Sequence, residues 1–383
     1  MIKQEINELK RLFTPSNCSI TRICGCYVDG EKNKKTEFKE AFLSLPEEEI
    51  FKYFEILRKN LSGSIGKNLL NLDFPMISEE KGGPQEFLLQ LRNSKLKDDT
   101  LLEEFYDRII TSYEFVGNYL ILLIHDAYDV PGKTTDGLTM EDASDTVFEY
   151  IMCCICPVAL SKPGLSYDAE SNEFHNRIRD WVVNMPETGF LFPSFNDRCT
   201  DIHSTLYFSK NSEEPHEEFV ENILGCALPL SAGGQKETFQ TIIEETLGDD
   251  CEYEVIKNIH ENLTEMIEEH KEIPEPLMLD KKEVKNLLEK SGAPEEKLAD
   301  FDKLYDAAAG EDTSLLVSNV ANIRTFEVKT PDVVVKVNPE RADLVNTMTV
   351  DGKRCLVIEI NDHVEVNGIN VKISAQETAD LPL

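Results

Sequence analysis

The sequence predicts an α+β protein: a mostly antiparallel sheet with flanking helices, an acidic helical block and a small C-terminal β-meander. Three observations predict it. Short β-branched or wholly apolar runs recur through residues 1–210, joined by long polar connections. A helical period with carboxylates on its outer face takes over in residues 211–312. From 313 to 383 the period falls to two, with Asp351-Gly352 and Asn367-Gly368 as two-residue hairpin turns. A chain of 383 residues accommodates these three segments as domains of about 100–200 residues or less.

The elements follow in order. Ile20–Val28 (ITRICGCYV) is β-branched and ends at the turn Asp29-Gly30, so it reads as a strand. Helices are expected near Phe38–Leu43 and over Pro46–Lys59, the second from Ile50, Phe51, Phe54 and Leu57 at helical spacing. A short strand at Leu69–Phe74 and a helical pair, Gln85–Leu91 and Asp98–Ser112, come next. Asn118–Tyr128 (NYLILLIHDAY) is too short and too β-rich for a helix and reads as a buried central strand. A polar loop with Asp129, Pro131, Gly132, Asp136 and Gly137 leads to a second buried strand, Phe148–Val158, then shorter ones at Gly189–Phe192 and Ser204–Phe208. In the helical block, Val255, Ile256, Ile259, Leu263, Met266 and Ile267 form one apolar stripe. Asp280 with Glu283 is a capping box, Gly292 a stop, and Pro294 opens a helix that runs to about Ala309. The meander strands are expected at Phe326–Val328, Val333–Val337, Thr347–Val350, Cys355–Ile360, His363–Val366 and Ile369–Ile373, with a frayed tail after Ser374.

Charge narrows the partners. The formal net charge is −33, and residues 211–320 carry 28 acids against 9 bases, whereas residues 1–60 are nearly neutral with 10 against 11. Such a field repels phosphate backbones and anionic lipid and attracts basic proteins, so direct duplex DNA binding is expected to be weak. The longest apolar stretches, Tyr119–Ile124 and Ile151–Leu160, fall far short of the ~20 residues of a membrane-spanning helix. The N-terminal residues Met1–Phe13 hold no hydrophobic signal core. Ten cysteines, mostly in apolar runs, point to buried thiols in a reducing compartment, and a cytoplasmic location is expected.

Several constellations invite chemistry. Cys24 and Cys26 share one strand face, as do Cys154 and Cys156; if the strands were neighbours, four thiols would converge on a tetrahedral zinc. The plainer reading is a set of small core residues. Leu61–Lys67 (LSGSIGK) is loosely like a phosphate loop, but Leu61 stands where the first glycine belongs and Asn68 where Ser or Thr should bind magnesium, so a helix-ending turn is expected. His125-Asp126 end a buried strand, and Asp197, Asp201 and His203 cluster in the loop 196–204; carboxylates beside histidine are what a metal-assisted hydrolase or a general base needs. No H-E-x-x-H or G-x-S-x-G spacing accompanies them, and loop capping explains them equally well. Arg177 and Arg179 beside Trp181, and Lys353-Arg354, would suit a basic or stacking surface; as the sole tryptophan, Trp181 is expected to be a core anchor. The segment 280–309 has a helix–turn–helix outline, but its second helix opens Pro294-Glu295-Glu296 and would be repelled by a major groove.

The runs Ile20–Asn33, Phe42–Glu49, Leu61–Leu69, Leu120–Thr134, Cys153–Val158 and Phe326–Arg341 resemble a family of uncharacterised bacterial proteins known as a domain of unknown function, number 4317. The likeness covers nearly the whole chain and implies no activity. A fainter resemblance is to the nucleoid-associated family of similar size, through Phe219-x4-Leu224-Gly225-Cys226 and Ser231–Phe239 (SAGGQKETF). The functional expectation is a non-catalytic cytoplasmic binding protein, nucleoid- or nucleoprotein-associated, with a protein or nucleoprotein partner that presents a basic surface, no cofactor and room for homo-oligomers. The alternatives are the metal-assisted hydrolase or nuclease using His125, Asp126, Asp197, Asp201 and His203, and a ribosome-associated or stress factor.

Overall fold

A computed structural model gives the structure of the chain and describes residues 1–133, 139–248, 251–311, 313–322, 325–360, 364–366 and 368–371, with side chains left out at 133 and 139–145. The expected turn positions Asp136, Gly137 and Asn367 and the tail after Ser374 lie outside the described residues. The chain divides into two compact units, Met1–Gln235 with Ile273–Pro276, and Lys236–Glu272 with Leu277–Leu383.

The first unit contains, in order, α1 (Lys3–Leu12), β1 (Ile20–Val28), β2 (Lys34–Ala41), α2 (Glu47–Asn60), β3 (Leu69–Asp73), α3 (Pro84–Asn93), α4 (Asp99–Ser112), β4 (Asn118–Lys133), β5 (Thr139–Leu160), β6 (Leu165–Asp168), β7 (Glu173–Asn176), β8 (Trp181–Val183), β9 (Thr188–Phe192), β10 (Ser194–Asn196), β11 (Cys199–Asp201), β12 (Ser204–Ser209) and a short α5 (Glu217–Phe219). An antiparallel sheet runs in the order β2-β1-β4-β5-β9-β12-β3, with β8 added to the far end of β5. Helices cover both of its faces. On one, α3 and α4 and the segment 219–226 pack on Cys24, Cys26, Ile121, Leu123, Cys153 and Phe190. On the other, α1 and α2 pack on Ile23, Leu122, Ile124, Tyr150, Met152 and Cys154. Burial on both faces is why β4 reads as an unbroken apolar run and not as an alternation.

Two expectations need correcting here. Residues 34–41 (KKTEFKEA) form the edge strand β2, not a helix; its exposed lysines and glutamates are what an open edge tolerates. Only a short 3-10 turn, Phe42–Ser44, precedes α2. Trp181 is no core anchor: it is 57% exposed on β8, beyond the reach of either helical layer.

The second unit holds α6 from Lys236 onward (Ala232–Leu247), α7 (Tyr253–Glu269), β13 (Met278–Leu279), α8 (Lys281–Lys290), α9 (Phe301–Ala309), β14 (Leu315–Leu316), α10 (Val317–Val320) and β15 (Phe326–Lys329), β16 (Val334–Val337), β17 (Val345–Val350), β18 (Lys353–Ile358), β19 (Val364–Val366) and β20 (Ile369–Val371). The stripe of α7 turns Val255, Ile259 and Leu263 inward, with Met266 and Ile267 packed beside them, while Ile256 faces out. The Asp280–Glu283 capping box forms with both bonds at 2.8 Å, and Gly292 closes the helix at φ 96°. Residues 294–300 hold a 3-10 turn, Lys297–Asp300, so the next helix starts at Phe301 and not at Pro294. The C-terminal β segment is built as the pairs β15–β16, β17–β18 and β19–β20, each a two-stranded sheet. Asp351 (φ 50°) and Gly352 (φ 75°) make the tight turn of the middle pair.

Gly189 on β9 sits where a methyl group would overlap both the Cys153 carbonyl and the Asn60 side chain, which itself donates to that carbonyl at 3.3 Å. Gly189→Ala is therefore expected to lower unfolding stability by about 2 kcal/mol, the scale of overpacking in a closed core; urea titration of the two proteins measures it, and an unchanged midpoint would contradict this packing.

Candidate functional site

The strand register decides what the candidate residues can do. His125 and Asp126 are consecutive on β4 and so point to opposite faces of the sheet. His125 is fully buried on the α3–α4 side, with Nδ1 2.8 Å from the Thr21 hydroxyl and Nε2 without a hydrogen-bond partner among the described residues. Burial pushes it down to about 4; Glu149 opposes the shift, and Lys95, Arg92 and Lys97 reinforce it. Asp126 is buried on the α1–α2 side, where it accepts from the Tyr150 hydroxyl at 2.7 Å and the Ala127 amide at 2.8 Å. Burial raises its carboxyl above the usual range, against the pull of those donors. A sheet stands between the two groups, and they do not form an acid–base pair.

Asp201 holds a loop together. It accepts from Asn196 Nδ2 at 2.6 Å, Ser204 Oγ at 2.9 Å and the His203 amide at 3.0 Å. Burial disfavours its charge, but those donors outweigh burial and keep its carboxyl low. His203 faces solvent, with Nδ1 2.6 Å from Glu79, whose carboxylate raises the imidazole. The cysteines divide likewise: Cys24 and Cys26 belong to one core and Cys154 and Cys156 to the other, and β4 separates β1 from β5. The four thiols do not converge. Burial pushes Cys24 up to about 11 and Cys26 to about 12, and Cys154 well above the ordinary thiol, so these side chains remain neutral. All ten cysteines are free. Among the described residues no three His, Cys, Asp or Glu side chains are grouped to hold a metal ion.

The structure does assemble one site around Asp197. Asp197 (φ 51°) and Arg198 (φ 57°) form the left-handed turn between β10 and β11. That turn aims Arg198 at α1, where Nε and Nη2 meet the two oxygens of Glu8 at 3.1 and 2.9 Å, and Nη2 also donates to the Pro131 carbonyl at 3.1 Å. The Tyr128 hydroxyl donates to Glu8 at 2.8 Å, and burial pushes it up to about 12. Together these residues line a cleft of about 1240 Å3 between α1, the segment 16–19, the end of β4 and the turn. Its wall carries four carboxylates, Glu5, Glu8, Asp129 and Asp197, against two guanidiniums, Arg11 and Arg198. Glu8 neutralises one of these, and Asp129 and Asp197 are exposed. Sequence reasoning singled out Asp197 but missed Glu8, Tyr128 and Arg198. Only the Asn196-Asp197 pair, both tolerant of left-handed backbone, signalled a tight hairpin there.

Phe219, Ile223, Leu224 and Cys226 of the segment 219–226 plug the α3–α4 face of the sheet. Among the described residues no helix is long and apolar enough to cross a membrane. A family model described as a domain of unknown function, DUF4317, matches residues 1–369. No curated protein matches the chain. The nucleoid-associated likeness receives no support from these comparisons.

The two buried groups of β4 predict opposite pH effects. His125 titrates near 6.5 when unfolded and near 4 when folded, so the unfolded chain takes up the proton first. Its contribution is intact above pH 6.5 and is lost as pH falls toward 4. His125→Asn, which keeps an amide opposite Thr21, should flatten stability across that window. Asp126 has the reverse sign: its folded carboxyl lies above the unfolded value of 3.8, so the charge penalises the fold as pH rises. Asp126→Asn should stabilise the protein at neutral pH and lose that gain near pH 3.8. Urea unfolding of the three proteins across pH checks both signs; parallel curves would contradict the burial of these side chains.

Proposed function

The chain belongs to the DUF4317 family, and from that premise we propose that it is a non-catalytic, cytoplasmic binding protein that takes a cationic segment of a protein partner into the cleft beside α1. The observation that carries this reading is the cleft wall, with four carboxylates to two guanidiniums, one of them already spent on Glu8. A net charge of −33 steers basic chains toward such a cleft and raises the cost of approach for DNA. Asp129 and Asp197, both exposed on the cleft wall, support this reading as acceptors for a lysine or arginine side chain. A nucleoprotein partner fits this reading through its basic protein component. The free cysteines favour a reducing compartment. The hydrolase reading draws less support, because His125 and Asp126 face opposite ways, Asp201 is engaged within its loop and His203 pairs with Glu79. No observation favours a ribosome-associated or stress role over the binding one.

The test is direct binding by fluorescence anisotropy with two probes, an oligolysine peptide and a mixed-sequence duplex DNA. Oligolysine is expected to bind with marked salt dependence. Removing the two rim charges together, Asp129→Asn with Asp197→Asn, should weaken it about tenfold, or ~1.4 kcal/mol, whereas Glu295→Gln with Glu296→Gln should change it far less. Duplex DNA is expected to bind no more tightly than ~10⁻⁴–10⁻⁶ M at physiological salt. Nanomolar DNA binding, or oligolysine binding indifferent to the rim variants, would overturn the proposal.

A further inference from the structure

The far end of β5 carries a feature that the cleft does not explain. Beyond Val158 the strand is joined by β8, and between them the chain runs out into the β6–β7 hairpin. This arm, residues 160–185, is apolar where it should be polar: Leu165, Phe174, Ile178 and Trp181 are 76%, 72%, 81% and 57% exposed. Large apolar side chains exposed in this number within one short segment point to an interaction site.

We propose that the arm is the surface through which two copies of this chain associate, with β8 pairing antiparallel to β8 of the second copy. Three observations name that occupant. The first is the edge itself. β8 bonds to β5 on one side, with the Asp180 carbonyl accepting from Ser161 and the Asn184 amide donating to Pro157. The alternation of an antiparallel ladder then turns the backbone groups of Trp181 and Val183 outward, and among the described residues no strand meets them. Pairing about Val182 sets Trp181 of each copy opposite Val183 of the other, which is the two-fold, self-complementary arrangement a homodimer requires.

Charge is the second. The protein carries −33, so two copies repel almost anywhere they meet. Residues 160–185 hold four acids (Asp168, Glu170, Glu173, Asp180) and three bases (Lys162, Arg177, Arg179), a near-neutral segment in which that repulsion is low. Area is the third. Leu165, Tyr167, Phe174, Ile178 and Trp181 are each more than half exposed, the kind of large apolar side chain from which a stable interface assembles its ~800 Å2 per partner. The inference is independent of the cleft, which lies at the other end of β4.

The sole tryptophan makes the test specific, because Trp181 sits in the proposed contact. Full-length protein is examined by sedimentation equilibrium and by intrinsic fluorescence over a dilution series. The mass is expected to rise from 43.5 kDa toward twice that with concentration, and Trp181 emission to shift to shorter wavelength in step. Ile178→Asp with Val182→Asp should leave a monomer with unchanged circular dichroism and red-shifted, concentration-independent emission. A wild-type chain that stays monomeric with constant emission overturns the proposal. So does a dimer that survives the double substitution, since its interface would then lie elsewhere.

Discussion

The pairing of β4 with β5 is the interaction on which everything else in the first unit depends. The ladder runs from Asn118 opposite Val158 to Lys133 opposite Thr139, and its middle is buried on both faces. A strand in that position has no solvent side, so each residue is committed to one helical layer or the other. Register is then enforced twice over, because a slip of one residue would carry His125 and Asp126 into each other's surroundings. Each polar group there is matched to its own face: Thr21 stands by His125, and Tyr150 by Asp126.

The same ladder sets out the two surfaces that reach solvent. Past Asp126, β4 delivers Tyr128, Asp129 and Pro131 to the cleft beside α1. Past Val158, β5 delivers β8 and the arm. Ten ladder positions separate Asn118 from Tyr128, roughly 30 Å at strand rise. The protein thus carries an acidic, polar cleft at one end of its central hairpin and a near-neutral apolar arm at the other. The proposed binding of a cationic segment rests on the carboxylates of the first, and the proposed self-association on the open apolar edge of the second.

Much of the fold was legible in the sequence, and the failures have physical causes. β1, β4, β5, β9 and β12 stand out as apolar or β-branched runs because both faces of the sheet are covered. The capping box of α8 and the Asp351-Gly352 turn were legible because they are local. β2 was misread as helix because an edge strand can carry Lys and Glu wherever it is open, and that pattern imitates an amphipathic helix. Trp181 was misread because an aromatic residue's bulk argues for the core, whereas the short strand that carries it, β8, is exposed. The pairing of Glu8 with Arg198 spans 190 residues and leaves no periodic trace, so the cleft could not be read from the chain. His125-Asp126 looked like a pair in sequence only because adjacency along a strand means separation across it.

As the frame for both surfaces, the β4–β5 ladder is expected to be the most protected element of the first unit. Native-state hydrogen exchange resolved by residue tests it most directly. The amides of Leu120–Ile124 and Met152–Ile155 are expected to exchange only through global unfolding, with protection equal to the full unfolding free energy. Those of β6 and β7 should exchange through local opening at far lower cost. Slow exchange confined to α3 and α4, with β4 opening locally, would contradict the account.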